Sequence, residues 1–405
     1  MTDSLWSILI TAPWALRPDT LLGASLLMVA AALLGELAWR RLRWPRLTGY
    51  AAVGAVLAVA GLGVTGDEGA LRLAVDVALA LLLFEAGARL NLRWLGRNPW
   101  LLATSLLEAG LAGVAVLIAA RALGVPPTVA GPLAIISMCV SPAVVQRVVG
   151  ECHAAGQVTE RLMTLSALNT LYAVLALKLL SAGLLLSDPG TWFNALPTVT
   201  FSFFGSFLLG AALGSLLSLI ARRLDLRNEN SVVLLLGCVL VALVLAKTLQ
   251  LSTLLVPLLA GMWLRNRTDR PWVWPRHFGT VGGVLVLVLF VAVGSAWSPE
   301  VLVTAGAVAA ALVVVRWVAK AAAVFALARP SGLAWKQAGA LGASLLPLSA
   351  TAWVLALEFA HAHPAVGPAL LPVVLAMLAF IELPSPLVVM FSLRAVGEID
   401  KREKA

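Results

Sequence analysis

Charged side chains are scarce in this sequence. Only 12% of its 405 residues are Asp, Glu, Lys or Arg, whereas 61% are hydrophobic, and an ordinary soluble domain has about twice that share of charge. So little charge cannot give a folded chain of this size a polar surface. The composition therefore excludes a water-soluble globular protein and places the chain in a lipid bilayer.

Reactive and metal-binding residue types are also few. The sequence has 4 histidines and 3 cysteines, Cys139, Cys152 and Cys238. Their number and positions imply neither a disulfide framework nor a metal site. The sequence shows no Ser/His/Asp set, no metal-ligand cluster and no phosphate-binding glycine loop. We therefore expect neither an enzyme nor a protein that binds a cofactor or a metal.

Long apolar runs are what the sequence has in abundance. A helix needs about 20 apolar residues to cross a bilayer, and runs of this kind recur from Leu21 to Leu393 between short loops. They predict an all-α polytopic membrane protein with thirteen transmembrane segments. The predicted segments are 20–39, 48–64, 70–88, 99–122, 128–149, 161–186, 193–221, 230–249, 252–265, 277–297, 301–328, 336–360 and 366–393.

Basic residues are distributed unevenly among the loops. Loops after odd-numbered segments hold nearly all of them, whereas the N-terminal stretch and the even-numbered connections contain only Arg17, Arg72 and Arg121. Because cytoplasmic loops retain Lys and Arg, this predicts an inner (plasma) membrane protein with its N-terminus outside and its C-terminus in the cytoplasm. The same distribution explains the net charge of +9 without a nucleic-acid partner.

The predicted segments divide into two sets of six. We predict a first repeat in residues 1–187, a connecting helix in 188–228, a second repeat in 229–394 and a short cytoplasmic tail in 395–405. A single intervening helix makes the second repeat run inverted. Many secondary transporters are built in this way.

Prolines lie at corresponding places in the two repeats. Pro142 occurs in "SMCVSPAVV" of segment five, and Pro347 occurs in "ASLLPLSAT" of segment twelve. Proline removes a backbone donor, and neighbouring Ser and Thr residues can satisfy the freed carbonyls. Two ordinary proline kinks are the simpler interpretation. The matching positions favour two crossed, partly unwound helices around a substrate site.

Ionisable residues deep in the predicted segments need an explanation, because each charge costs about 2.5–3.5 kcal/mol on insertion scales. Lys320 and Arg316 lie about 12 and 18 Å from the cytoplasmic end of segment eleven, at 1.5 Å per residue. Glu382 has a similar depth in segment thirteen and is the first choice as their counter-ion, and Glu108 in segment four is the second. Snorkelling to the interface is the alternative for Lys320.

Seven stretches along nearly the whole chain follow a known family pattern, namely "RRLRWPRLTGY", "LLLFEAGARLNLRWL", "SPAVVQRVVGE", "VTERLMTLSALNT", "RWVAKAAAVFALA", "PLSATAWVL" and "PLVVMFSLRAVGE". With them the sequence resembles the monovalent cation/proton antiporter superfamily, the sodium/proton exchangers and potassium-efflux antiporters. This resemblance implies alternating access, in which segments four to six and eleven to thirteen move against a scaffold of segments one to three and eight to ten. It also implies that the scaffold forms a homodimer.

The resemblance implies an ion-binding site from which this chain departs at one position. Family members bind a cation or protons at a carboxylate of segment six, within an Asn-Asp or Asp-Asp pair. Here that pair is Asn169-Thr170. The resemblance carries Asn169, Ser141, Lys320 and Arg316 over to family positions and places Thr170 at the acidic one. Ser166 and Ser349 complete the candidate ion-binding residues, and Glu382 and Glu108 are further candidate charges because of their depth.

The missing carboxylate leaves the mechanism open. A threonine hydroxyl can ligate a sodium ion but cannot exchange a proton for it at neutral pH. Proton coupling would then need Glu382, Glu108 or Lys320. The leading hypothesis is a Na⁺ or K⁺/proton antiporter-like secondary transporter in contact with membrane lipid. The alternatives are a transport-inactive relative with an interaction or regulatory role, and a carrier of an anionic or neutral solute.

Overall fold

The computed structural model of this chain describes residues 20–61, 70–186, 192–223, 229–267, 278–348 and 350–399. Within these ranges the regular structure is helical and contains no strand, so the all-α prediction is confirmed. The helices are α1 Thr20–Leu37, which continues into a π-helical turn Ala38–Leu42, α2 Arg46–Val59, α3 Ala70–Arg89, α4 Leu92–Arg97, α5 Pro99–Ala122, α6 Pro127–Met138, α7 Pro142–Glu151, α8 Gln157–Leu186, α9 Trp192–Arg223, α10 Glu229–Thr248, α11 Leu255–Arg267, α12 Phe278–Gly294, α13 Pro299–Ala326, α14 Trp335–Ser344, α15 Ala350–Ala362, α16 Gly367–Glu382 and α17 Pro384–Ala395.

Each predicted segment overlaps at least one of these helices. By length and composition, 5 spans in the described ranges can cross a bilayer, namely α5, α6 with α7, α8, α9 and α13, and the bent pair α16 and α17 would bring the number to 6. The count of thirteen spans, the domain boundaries and the inverted orientation of the second repeat stay predictions.

Local sequence signals fix several helix boundaries. Pro99, Pro127 and Pro299 each occupy the first turn of a long helix, where a missing backbone N–H costs nothing because it would have no helical partner. Helix α5 is followed by Gly124, whose φ of 81° lies in the left-handed region that glycine adopts without strain. Pro99 and Gly124 therefore mark the beginning and the end of α5, the helix that carries Glu108.

Segments five and twelve are both interrupted, as predicted from their prolines. Residues 139–141 separate α6 from α7, and α14 ends at Ser344 before the unwound residues 345–348. The backbone N–H of Ser141 donates to the carbonyl of Pro347 at 3.0 Å. The two interruptions are therefore in direct contact, which confirms the crossed, broken helices. The crossing gathers two helix C-termini and two helix N-termini at one point.

A third interruption lies in segment thirteen and was not predicted. Helix α16 ends at Glu382, α17 begins at Pro384, and the two are bent by 44°. Pro384 has no N–H to continue the hydrogen-bond ladder of α16, and its ring clashes with the preceding turn. The proline signal is present in "FIELPSP", within a segment that its uniform apolarity predicts as one continuous helix.

Glycines allow α3 and α11 to pack backbone to backbone. A methyl group added at Gly87 would lie 2.0 Å from the carbonyl oxygen of Leu258, and one added at Gly261 would lie 2.0 Å from that of Phe84. Small residues permit this approach in membrane helices, where dispersion contacts drive helix association. The contact joins two helices that belong to the predicted scaffold.

Glu398, just after α17, caps the N-terminus of α8, the helix that carries Asn169 and Thr170. The Glu398 carboxylate accepts hydrogen bonds from the backbone N–H of Val158 at 2.8 Å and from both the N–H and the hydroxyl of Thr159 at 2.7 Å. The first N–H groups of a helix have no partner inside the helix, and a negative charge there also interacts favourably with the helix dipole. Glu398 thus stabilises the start of α8.

Replacing Glu398 with Gln should lower stability by about 1–2 kcal/mol, because one oxygen and the charge are lost while the donors remain. Thermal unfolding in detergent would measure this effect. Glu300→Gln, at an exposed position in the first turn of α13, is the matched control and should have a smaller effect. Equal melting temperatures for wild type and Glu398→Gln would show that this cap is not stabilising.

Candidate ion-binding site

Arg316 of α13 ties the two interruptions together. Its Nε donates to the carbonyl of Ser137 at 2.8 Å and its Nη1 to that of Leu346 at 2.8 Å. Its Nη2 donates to the carbonyls of Cys139 and Pro347, the latter at 3.4 Å. Four of the five guanidinium N–H groups are thereby accounted for. The predicted role of Arg316 as a counter-ion is replaced by this backbone contact.

The position of Arg316 follows from the electrostatics of the crossing. Helices α6 and α14 both end there, and helix C-termini carry unsatisfied carbonyls with a partial negative charge. Water cannot satisfy these carbonyls, because Arg316 and its surroundings are fully buried. A planar cation with a fork of donors fits several carbonyls at once. Arg316 thereby supplies the hydrogen-bond donors and the positive charge that these unsatisfied carbonyls need.

Lys320 lies one turn further along α13 and forms a buried ion pair. Its Nζ donates to Glu108 Oε2 at 2.6 Å and to the carbonyl of Met138 at 2.9 Å. Asn169 of α8 donates its Nδ2 hydrogen to the other oxygen, Glu108 Oε1. Lys320, Glu108 and Asn169 each have 0% exposure. Lys320 therefore does not snorkel, and α5, α8 and α13 meet in one charged cluster.

The predicted preference for Glu382 as the counter-ion of Lys320 is wrong. Glu108, the second candidate, fills this position. Glu382 is buried at the end of α16, next to the bend into α17. Depth along a helix can be counted from the sequence, but the direction in which a side chain leaves the helix depends on packing. Helix α13 presents Lys320 to α5, so the carboxylate of α5 is the one within reach.

Thr170 faces the first interruption. Its hydroxyl oxygen lies 3.0 Å from the carbonyl of Ser166 and 3.3 Å from that of Val140, and donates to them. The thiol sulfur of Cys139 lies 3.6 Å from the same oxygen. Cys139 was not singled out as a site residue, although it stands two residues from Ser141 in the sequence motif. Thr170 therefore holds α8 against the unwound backbone.

The remaining predicted ligands are placed differently. The Ser141 hydroxyl accepts from the N–H of Val144 at 3.5 Å, which makes it the N-cap of α7. The Ser166 hydroxyl donates to the carbonyl of Met163 within its own helix at 2.9 Å. Ser349 lies outside the described residues. Of the predicted ion-binding side chains, the structure brings Asn169 to the charged cluster and Thr170 to the adjacent break.

A cavity of about 420 Å³ approaches the crossing from the predicted cytoplasmic end. It lies between α3, α7 and α12, and its polar lining includes Glu85, Arg89, Gln146, Arg147 and Glu151. Gln146 stands four residues after Pro142, which is about 6 Å along α7 at the helical rise. The cavity therefore ends close to the first interruption.

A second cavity, of about 770 Å³, approaches from the predicted outer end. Its lining includes Lys178 and Glu358, paired at 3.2 Å, as well as Lys247 and Asp76, which also form an ion pair. It extends to Ala350, the residue at which α15 begins after the second interruption. Neither lining includes Glu108, Lys320 or Asn169, and each of these residues is fully buried, so the cluster is closed to both cavities.

Comparison with known proteins gives a consistent result for the fold. The family profile described as "Sodium/hydrogen exchanger, transmembrane" matches residues 26–393. No curated protein sequence matches the chain. A structure of the sodium proton antiporter MjNhaP1 from Methanocaldococcus jannaschii at pH 8 is 15% identical and covers 93% of this chain and 98% of its own, with a TM-score of 0.67. An electron microscopy structure of MjNhaP1 is 16% identical and covers 96% and 99%, with a TM-score of 0.71. At these identities the likeness is one of fold.

Proposed function

We propose that this chain, which belongs to the sodium/hydrogen exchanger family, is a secondary active transporter that exchanges a monovalent cation, Na⁺ or K⁺, for protons. The observation that carries the proposal is the fully buried cluster of Glu108, Lys320 and Asn169 beside two crossed, broken helices. Broken helices near the middle of the membrane are where secondary transporters bind their substrates. A buried, ionisable cluster at this place is suited to the exchange of cations and protons.

The two cavities support an alternating-access mechanism. Each lies between helices of the predicted moving group, α7, α8 or α15, and helices of the predicted scaffold, α3, α10 or α12. A displacement of one group against the other would open one cavity to the cluster and close the other.

In this proposal the scaffold forms a homodimer in the plasma membrane, with the N-terminus outside and the C-terminus in the cytoplasm.

The cost of adding net charge to a buried site explains why cation binding would be coupled to proton release. Arg316 and Lys320 each contribute one positive charge to the buried cluster and Glu108 contributes one negative charge, which leaves a net charge of about +1. A bound cation would raise this to about +2 in a medium where unpaired charge is strongly unfavourable. The net charge stays constant if Lys320 releases its proton as the cation takes its place beside Glu108.

An anion carrier is less well supported by the same contacts. Arg316 uses its donors on four backbone carbonyls, and Lys320 is held by Glu108 and the carbonyl of Met138. An anion would have to displace these partners before either cation became available. A transport-inactive relative would share the fold and differ only in flux, so flux is the property to measure.

Proton movement in liposomes tests this function. Purified protein in vesicles with a pH-sensitive dye should move protons when a Na⁺, K⁺ or Li⁺ gradient is imposed. Lys320→Met should abolish the movement, because it removes the exchanging proton. Lys336→Met is the matched control, because Lys336 is exposed in the first turn of α14 and lines neither of the two cavities, and it should retain flux.

The other functions make different predictions in the same vesicles. No proton movement with any of the three cations, from protein that is folded by size-exclusion chromatography, would favour an inactive relative. Uptake of an anion or neutral solute without cation-dependent proton movement would favour the carrier.

A further inference from the structure

We infer that the cation ligands of this chain are the Glu108 carboxylate and the Asn169 side-chain oxygen, so that the anionic ligand comes from α5 and not from the Asn-Thr pair of α8. The expected ligand is a small alkali-metal cation, which prefers hard oxygen donors. This inference rests on the proposed function and specifies its site.

Thr170 is unsuited to hold the cation by itself. The hydroxyl hydrogen of Thr170 is directed to the carbonyls of Ser166 and Val140, and the hydroxyl oxygen carries no formal charge. A cation that leaves water for a fully buried site needs an anionic partner, since the desolvation cost of an unpaired charge amounts to several kcal/mol. The anion must therefore come from another residue near Asn169.

Glu108 is that anion. Its carboxylate contacts Lys320 through Oε2 and Asn169 through Oε1, in a fully buried setting. A carboxylate has about four lone-pair positions, and these two contacts occupy two of them. The remaining positions allow a cation to bind as Lys320 withdraws. Glu108 therefore has the negative charge that Thr170 lacks, together with unoccupied lone pairs beside Asn169.

Asn169 provides an independent indication of a ligand. Its Oδ1 is buried and, among the residues that the structure describes, has no hydrogen-bond donor. Buried acceptors without a partner are rare in folded proteins and call for an explanation. The same amide group contacts Glu108 through Nδ2, so its oxygen lies close to the carboxylate. A cation between Glu108 and Asn169 Oδ1 would satisfy the orphaned oxygen and compensate the charge.

Two substitutions that preserve charge or volume test the inference. Glu108→Asp retains the negative charge but withdraws the carboxylate by one methylene group, and should weaken apparent cation affinity by about tenfold or more. Thr170→Val, the matched control, removes only the hydroxyl at the position where the family has its acid, and should change affinity by less than about threefold. The probes are NaCl, LiCl and KCl. The readouts are cation-dependent thermal stabilisation of the purified protein and proton flux in liposomes.

The two readouts separate this inference from the proposed function. Stabilisation by a cation that is weakened by Glu108→Asp and retained in Thr170→Val supports the site, even if the wild type shows no flux, in which case only the transport proposal fails. Flux and stabilisation that survive Glu108→Asp unchanged but are lost in Thr170→Val would overturn the site and leave the transport proposal intact. Absence of cation-dependent stabilisation in the wild type would overturn the site as well.

Transfer of the carboxylate gives a final check on protein that folds. Glu108→Gln should lose cation-dependent stabilisation, and the double variant Glu108→Gln/Thr170→Asp should regain it, because α8 then carries a carboxylate at the residue next to Asn169. Failure of the double variant to regain stabilisation, although it elutes as folded protein, would count against a cation site shared between α5 and α8.

Discussion

Arg316→Met should destabilise the protein by several kcal/mol, on the order of 3–5. The methionine fills much of the same volume but donates no hydrogen bond. The carbonyls of Ser137, Cys139, Leu346 and Pro347 would lose the donor that holds them. Each unsatisfied buried polar group costs about 1–3 kcal/mol, only partly offset by the removal of a desolvated charge. Yield and thermal unfolding in detergent would measure the effect.

Two further variants make the Arg316 prediction specific. Arg316→Lys keeps the charge but provides three donors around one point, which cannot span both interruptions as a planar fork does, so an intermediate loss is expected. Arg40→Met, at a 76% exposed position on the protein surface, controls for the loss of an arginine as such and should be nearly neutral. A melting temperature of Arg316→Met equal to that of Arg40→Met would refute a tethering role.

The broken helices could be predicted because their cause is local in the sequence. Pro142 and Pro347 stand in apolar runs at matching positions, next to small hydroxyl residues. The steric clash of a proline and its missing donor act within one helical turn, so no knowledge of the neighbouring helices is required. The break at Pro384 has the same cause and was equally accessible, but it lacked a counterpart to draw attention to it.

The contacts within the site could not be predicted, because they depend on helix packing. Residue counts alone give Lys320 and Glu382 similar depths and put Glu108 in the middle of its segment. Only the orientation of α13 toward α5 decides which carboxylate pairs with Lys320. The role of Arg316 was missed for a related reason. Its partners are backbone carbonyls, which every residue possesses, so no side-chain pattern in the sequence identifies them.

Lys320 and Glu108 should be strongly coupled in a double-mutant cycle. Among the described residues, Lys320→Met leaves the Glu108 charge with Asn169 as its remaining side-chain donor, and Glu108→Gln leaves the Lys320 charge with the carbonyl of Met138. Removal of one partner from a buried pair typically costs about 3–5 kcal/mol, whereas removal of both can be nearly neutral. The double variant should therefore be more stable than either single variant.

Thermal unfolding of the three variants in detergent gives the coupling energy, and the pair Lys178 and Glu358 provides a contrast. That pair is 36% and 23% exposed, so its coupling should be below about 1 kcal/mol.

A third cycle, with Lys320→Met and Glu382→Gln, tests the counter-ion that depth alone favoured. Strong coupling in the first cycle and near-additive losses in the third are expected, because the carboxylate that compensates Lys320 is on α5. If the Glu108 cycle were additive while the Glu382 cycle showed strong coupling, the charge exchanged during transport would have to be assigned to α16, and Glu108 would lose its part in both the proton exchange and the cation site.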